Sequence, residues 1–271
     1  MDKLYFLTAG IPSCAKDYSN AFEKLDELNL DGLEVEFVHG VRYSDKTKEY
    51  ILNRKDKIIT HHGPYYINLN AKEDDKISAS IKRVLDTARA GKDLGAYSIT
   101  YHAAFYLGDD KKTLMKRMIE RHQIIIDTLK EEDNNIWIRP ETTGKKSQWG
   151  ELDEIIELSK HFSQILPCID FAHIHARENG KFNTYDEFCH ILEHLGEELG
   201  DIALNNFHGH VAGIKYTDKG EKNHLIFEES DFNYKDLLRA MKKFNIKGTL
   251  TCESPNIETD TKILKDYYLS L

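Results

Sequence analysis

Cysteine is scarce in this chain: four in 271 residues, at positions 14, 168, 189 and 252, with no Cys-x-x-Cys pair. That excludes a disulfide framework and a zinc ribbon, and leaves the reduced thiols of a cytosolic protein as the expectation. Long apolar runs are missing as well. No stretch approaches the roughly 18 apolar residues that a membrane helix needs, and the mean hydropathy is −0.56. The opening MDKLYFLTAGIPS has no basic segment followed by an apolar one and a cleavage site, so it reads as a first strand rather than a signal peptide. Positive charge is in deficit, 37 Lys+Arg against 46 Asp+Glu for a formal net charge of −9. Such a balance argues against a generic nucleic-acid-coating protein but allows a local basic surface. No Pro/Gly/Ser-rich linker, low-complexity tract or repeat divides the chain. A single cytoplasmic domain over residues 1–271, with no membrane association, is the expectation.

What the sequence does contain is an alternation. Short apolar runs at Leu4–Ala9, Gly32–Phe37, Lys57–His61, Ser98–His102, Asn135–Arg139, Gln164–Asp170, Ala203–Val211 and Gly248–Glu253 predict strands. Between and after them, amphipathic stretches predict helices near 18–29, 44–53, 75–94, 112–131, 151–161, 184–195, 234–244 and 259–268. In the third of these, Ile77, Ile81, Val84, Leu85 and Ala88 keep the three-to-four spacing of a helix lying on a sheet. Eight strands alternating with eight helices over about 250 residues is the arithmetic of a (β/α)8 TIM barrel. A doubly wound sheet competes, but it would normally carry a Gly-rich phosphate loop after strand one. Here that turn is Ala9-Gly10-Ile11-Pro12-Ser13.

Barrel enzymes place their catalytic groups at the C-terminal strand ends, so those ends carry the functional reading. Strand three runs into His61-His62 and strand four into Tyr101-His102. Strand five ends Arg139-Pro140-Glu141, and strand six Cys168-Ile169-Asp170 with His173 close behind. Strand seven carries His208 and His210, with Glu221 and His224 in its loop, and strand eight ends Thr251-Cys252-Glu253. Any one of these has a plain structural reading, as a hydrogen-bonded His or a capping carboxylate. Six consecutive strands delivering only imidazole and carboxylate to one rim is a pattern suited to zinc, manganese or iron. Nine candidates, His62, His102, Glu141, Asp170, His173, His210, Glu221, His224 and Glu253, exceed the three or four protein ligands that one zinc takes. Clustered ions suit in-line displacement at a phosphate ester. His122, His161, His190 and His194 fall within helical patterns and are expected at the surface or in packing. Strand alternation sends only one of His61 and His62 inward, and likewise one of His173 and His175. His208 and His210 share a face, so the choice between them stays open.

The motifs His62-Gly-Pro-Tyr-Tyr-Ile-Asn-Leu69, Tyr101-His102-Ala-Ala, Pro140-Glu141-Thr-Thr-Gly144, Cys168-Ile-Asp170-Phe-Ala-His173 and Cys252-Glu253-Ser-Pro255 together resemble endonuclease IV. This is the apurinic/apyrimidinic endonuclease family among the xylose-isomerase-like barrels, and the resemblance runs in order along nearly the whole chain. It implies three zinc ions at the barrel mouth, with manganese or cobalt as alternatives. By motif position His62 and His102 would hold one ion, and Glu141 would bridge to a second completed by Asp170, His210 and Glu253. His173 and His224 would hold the third, with Glu221 as carboxylate partner. Glu141 and Glu253 would be catalytic in cutting DNA 5′ to an abasic site, leaving a 3′-hydroxyl and a 5′-deoxyribose phosphate. Two departures stand out. The family's His-Leu-Asn-Asp is His208-Gly-His210-Val-Ala-Gly213 here, and its Asp-x-His is Glu221-Lys-Asn-His224.

Double-stranded DNA as partner, and a monomer as the acting form, complete that expectation. Basic groups in several strand-to-helix segments, Arg42, Lys145, Lys146, Arg177, Lys181, Lys215, Lys219 and Lys222, would position phosphates without reading bases. Tyr65 and Tyr66 match family positions that press into DNA near the lesion, where an aromatic wedge can occupy the gap left by a missing base. The rival reading is a sugar isomerase or epimerase on the same barrel, with Glu141, Asp170, His210 and Glu253 around a single ion. The additional His62, His102, His173 and His224 discriminate, because a one-metal isomerase does not need them as ligands.

Overall fold

A computed structural model describes residues 1–271. Eight parallel strands form the sheet: β1 (Leu4–Ala9), β2 (Gly32–Glu36), β3 (Ile58–His62), β4 (Ser98–Tyr101), β5 (Trp137–Pro140), β6 (Ile169–Asp170), β7 (Phe207–Val211) and β8 (Gly248–Cys252). Their order across the sheet, β5-β4-β3-β2-β1-β8-β7-β6, is chain order with the first strand beside the last. This is the strand order of a (β/α)8 barrel, and every parallel neighbour is reached by a helical crossover. No helix is long and apolar enough to cross a membrane, and all four cysteines are free thiols.

The chain divides into two compact units, Met1–Glu34 with Gly144–Lys146 and Cys168–Leu271, and Val35–Thr143 with Ser147–Pro167. In the first unit, β1 pairs with β8 from Leu4↔Gly248 to Thr8↔Cys252, and β8 pairs with β7 from Gly248↔Phe207 to Cys252↔Val211. Next to them β6 pairs with β7 through Ile169↔Gly209 and Asp170↔His210. The rings of Phe171, Phe188, Phe207 and Phe232 pack in sequence behind these strands, with centroids 5.8 to 6.2 Å apart. In the second unit β3, β4 and β5 pair in register (His61↔Ile99, Thr100↔Arg139). Their outer faces meet helices Asp74–Leu94 and Lys111–Glu131 in a core that includes Val84, Ile99, Met118, Ile125, Ile138 and Trp149. Each such apolar side chain contributes about 1.5–3 kcal/mol by leaving water.

Local chemistry sets the helix limits. Asp110 accepts from the Thr113 N–H at the start of one helix, and Thr184 and Glu187 form a reciprocal capping box at the start of another. Gly95, at φ 70°, ends Asp74–Leu94 in the left-handed conformation that glycine adopts without steric cost.

The structure departs from the sequence pattern in the C-terminal half. The expected strand over 164–170 shrinks to Ile169–Asp170. Residues 164–166 do pair with β5, where Gln164 and Ile138 accept from the N–H groups of Ile138 and Leu166 (3.1 and 3.3 Å), but Pro167 has no N–H to extend the ladder. Ala203 belongs to a short helix, Asp201–Asn205, and β7 begins at Phe207. A helix at Phe171–Arg177 and an antiparallel hairpin, Gly213–Thr217 with Gly220–Leu225, were not anticipated. Nor was the small antiparallel pair Ala104–Phe105 with Gln148–Trp149.

Candidate functional site

The second unit gathers three of the expected ligands at consecutive strand ends. His62 is the last residue of β3, His102 the first after β4, and Glu141 the first after β5. Parallel pairing in register brings the three ends level. The Glu141 carboxylate is buried, with Oε2 3.2 Å from His62 Nε2 and Oε1 3.3 Å from His102 Nε2. His62 Nδ1 lies 2.7 Å from the carbonyl oxygen of Gly63. A carbonyl only accepts, so Nδ1 carries that ring's proton and a neutral Nε2 presents a lone pair to the carboxylate. Two acceptors face each other at 3.2 Å, an arrangement that a cation between them relieves. His61 turns the other way, its buried ring edge-on to Phe37 at 5.1 Å.

A second set lies in the first unit, on β6, the helix after it and the hairpin. Asp170 closes β6 and caps the helix, accepting from the His173 N–H at 2.7 Å. Its other oxygen is 3.2 Å from His173 Nδ1. With Nδ1 as the donor there, His173 Nε2 is the free lone pair, 3.4 Å from His224 Nε2 and 3.6 Å from Glu221 Oε2. Asp170, His173, His224 and Glu253 bring one ligand atom each within 4.8 Å of one another. His173 and His175 are therefore separated by helical rotation, not by strand alternation. His175 points to Asp231 (3.2 Å) and the Lys181 carbonyl (2.8 Å).

Two glycines hold Glu221 against this set. The Gly144 carbonyl accepts from the Glu221 N–H at 2.9 Å, and Lys145 bridges Gly220 in an antiparallel contact. A Cβ at Gly144 would fall 2.6 Å from Glu221 Cβ and 3.0 Å from His173 Cδ2. At Gly220, where φ is +95°, it would fall 2.2 Å from the Gly144 oxygen.

The same unit holds a third group. His210, on β7, has Nε2 2.9 Å from Glu34 Oε1 and Nδ1 3.4 Å from Glu253 Oε1. His208 Nε2 lies 3.0 Å from Glu34 Oε2. Burial alone would push the Glu34 carboxyl up, but the charge and hydrogen bonds of His210 and His208 hold it well below the usual carboxylate range. Sequence reasoning missed Glu34. The available signal was an acid between Leu33 and Val35 in the middle of a strand, where an apolar residue is the rule.

The other candidates lie at the surface. Tyr65 and Tyr66 are 56% and 60% exposed in the segment after β3, with the Tyr65 ring 5.7 Å from that of His62. Arg42, Lys145, Lys146, Lys181, Lys215, Lys219 and Lys222 are exposed. Arg177 differs from the expectation of a steering group: it is buried and donates to the Lys145 carbonyl at 2.6 Å. Among the remaining histidines, His122 is buried in packing, bonded to the Tyr101 hydroxyl and the Met118 carbonyl. His161 and His190 are exposed and His194 half-buried.

The donor sets are imidazole nitrogen and carboxylate oxygen only, without thiolate, which suits zinc, manganese or cobalt. A family model described as a xylose isomerase-like TIM barrel matches residues 22–268. "Uncharacterized protein MJ0133" of Methanocaldococcus jannaschii is 42% identical over 99% of this chain and 98% of its own length. "Probable endonuclease 4" of Bacillus subtilis is 26% identical over 67% of this chain and 61% of its own. Among solved structures, a D-tagatose 3-epimerase-like protein superposes with a TM-score of 0.73 at 19% identity, covering 97% of each chain.

Proposed function

The chain belongs to the xylose isomerase-like TIM barrel family, and from that premise we propose that it is a metal-dependent phosphodiesterase cutting double-stranded DNA 5′ to abasic sites. The observation that carries the proposal is the surplus of ligand sets. His62, His102 and Glu141 make one; His173 and His224, with Asp170 and Glu221, make another. A one-ion sugar enzyme leaves the first set and much of the second without a purpose.

His62, His102 and Glu141 would hold one ion, and Asp170, His173, His210, Glu221, His224 and Glu253 the others. Divalent ions bound there supply polarisation of a phosphoryl oxygen and a water acidic enough to attack near neutral pH. Glu141 and Glu253 carry the catalytic negative charge. Gly63 and Asp170 fix the rings of His62 and His173, so that each presents an unprotonated nitrogen. Lys145 and Arg42, both exposed, position backbone phosphates. Tyr65 and Tyr66 offer the exposed aromatic faces on which a base, or the gap left by one, is stacked.

The test is incision of a duplex carrying one abasic site, beside metal content by elemental mass spectrometry. Close to three zinc per chain and products ending in a 3′-hydroxyl and a 5′-deoxyribose phosphate support the proposal. A second reading, a single-metal sugar isomerase or epimerase, is favoured by strand seven, where His208-Gly-His210-Val-Ala-Gly213 departs from the endonuclease motif. About one ion per chain, no incision and turnover of a ketose panel would replace the first reading with the second.

A further inference from the structure

Glu34 is a fully buried carboxylate in the middle of β2, a position that costs several kcal/mol unless the charge is matched. Its matching groups come from β7. His208 and His210, two residues apart, project to the same face, so one carboxylate reaches both with one oxygen each, at 3.0 and 2.9 Å. Carboxylate oxygens accept and do not donate, so the proton on each ring is at Nε2. A neutral imidazole has only one N–H. His210 Nδ1 is then a lone pair, and it faces Glu253 Oε1 at 3.4 Å.

We infer that Glu34 is a positioning residue that holds His210 as its Nε2–H tautomer, and that His210, through Nδ1, is the metal ligand of β7 while His208 is not. The ligand half of this inference rests on the metal-site reading above. A carboxylate behind a ligating imidazole fixes the ring's orientation and makes it a better donor. Both faces of Glu34 serve this end: His208 occupies the second oxygen, which keeps the carboxylate from rotating away from His210. The ionised state of Glu34, maintained by those two rings, is the state the arrangement needs.

Cys168 lies beside the two histidines, with one ligand atom from each of the three within 4.8 Å of the others. A metal held by Cys168, His208 and His210 would require the ring nitrogens that Glu34 engages. The Glu34 contacts account for those nitrogens without an ion.

The experiment is long-range proton–nitrogen correlation NMR on the full chain labelled at histidine nitrogens, first metal-free and then titrated with zinc. His210 is assigned by its loss in His210→Gln. The metal-free wild type is expected to show His210 with its proton on Nε2, and zinc is expected to shift His210 Nδ1 and leave His208 in place. In Glu34→Gln, whose amide accepts at one end and donates at the other, the two rings no longer share one tautomer. Zinc affinity is expected to fall about 10- to 100-fold. His208→Gln and Cys168→Ser are expected to keep the wild-type zinc content, and His210→Gln to lose about one ion. A proton on Nδ1 of His210 in the wild type overturns the inference whatever the variants do. Zinc loss in Cys168→Ser or His208→Gln, with His210 unshifted, overturns the ligand assignment in favour of the thiol site. A chain that binds no zinc yet keeps His210 as the Nε2–H tautomer refutes the metal-site reading and the ligand assignment with it, while the role of Glu34 on the ring stands.

Discussion

Replacing Gly144 by Ala tests how tightly the Glu221–His173 set is built. Gly144 has an ordinary backbone conformation, absent from the positive-φ positions, so the substitution brings no backbone strain. On the unfolded chain alone the change would stabilise by about 0.4–1 kcal/mol. Against this stands the methyl group, 2.6 Å from Glu221 Cβ, 2.8 Å from its Oε2 and 3.0 Å from His173 Cδ2. Carbon atoms rest about 3.5–4 Å apart, so the overlap with Glu221 Cβ is roughly 1 Å. That atom is attached to backbone pinned by the 2.9 Å bond from the Glu221 N–H to the Gly144 carbonyl, and it cannot swing aside as a flexible tip would. Overpacking of this kind costs about 1–3 kcal/mol, which leaves a net loss on the order of 1–2 kcal/mol. Urea unfolding should report that loss with an unchanged slope. Dialysis against a weak chelator, followed by elemental mass spectrometry, should show about one ion fewer per chain. Stability equal to or above wild type, with wild-type metal content, would refute the reasoning, because the set would then have room that the geometry denies it.

Glu141→Gln keeps the volume between His62 and His102 but removes the charge. We expect incision of abasic duplex to be lost while the circular dichroism and thermal unfolding of the metal-free chain stay close to wild type; an unchanged rate with verified metal content would sink the assigned role. Tyr65→Ala and Tyr66→Ala touch exposed rings and should change stability by no more than about 0.5 kcal/mol. Each should weaken binding to abasic duplex by about 1–3 kcal/mol, read by fluorescence anisotropy at fixed salt, and undiminished affinity in both would remove the stacking role. His122 is wholly buried; burial lowers its pKa to about 4, outweighing the bond to the Met118 carbonyl, which raises it. A histidine whose folded pKa lies below its unfolded value stabilises above the unfolded pKa, and that stability drains as pH falls from about 6.5 toward 4, by about 3 kcal/mol in all. His122→Gln should flatten that part of the stability–pH curve, and an unaltered slope would assign the acid sensitivity elsewhere.

The alternation of strands and helices was legible because each strand carries its own apolar pattern and each helix its own periodicity, both local properties of the chain. The ligand candidates were legible for a related reason: in a barrel the end of a strand is a place in space as well as in sequence, so His62, His102 and Glu141 could be grouped before any distance was known. Short elements escaped. Ile169–Asp170 is too brief to show a period, and the hairpin from Gly213 to Leu225 is too polar along its length to stand out as a pair of strands. Glu34 escaped because a strand pattern says only that a residue points inward. It does not say that two imidazoles from β7, 174 residues further along for His208, wait there to neutralise the charge. The same limit applies to protons. Residue type makes His62, His173 and His210 possible ligands, but which ring nitrogen is free depends on a carbonyl or carboxylate within about 3 Å, and only the folded chain supplies that neighbour.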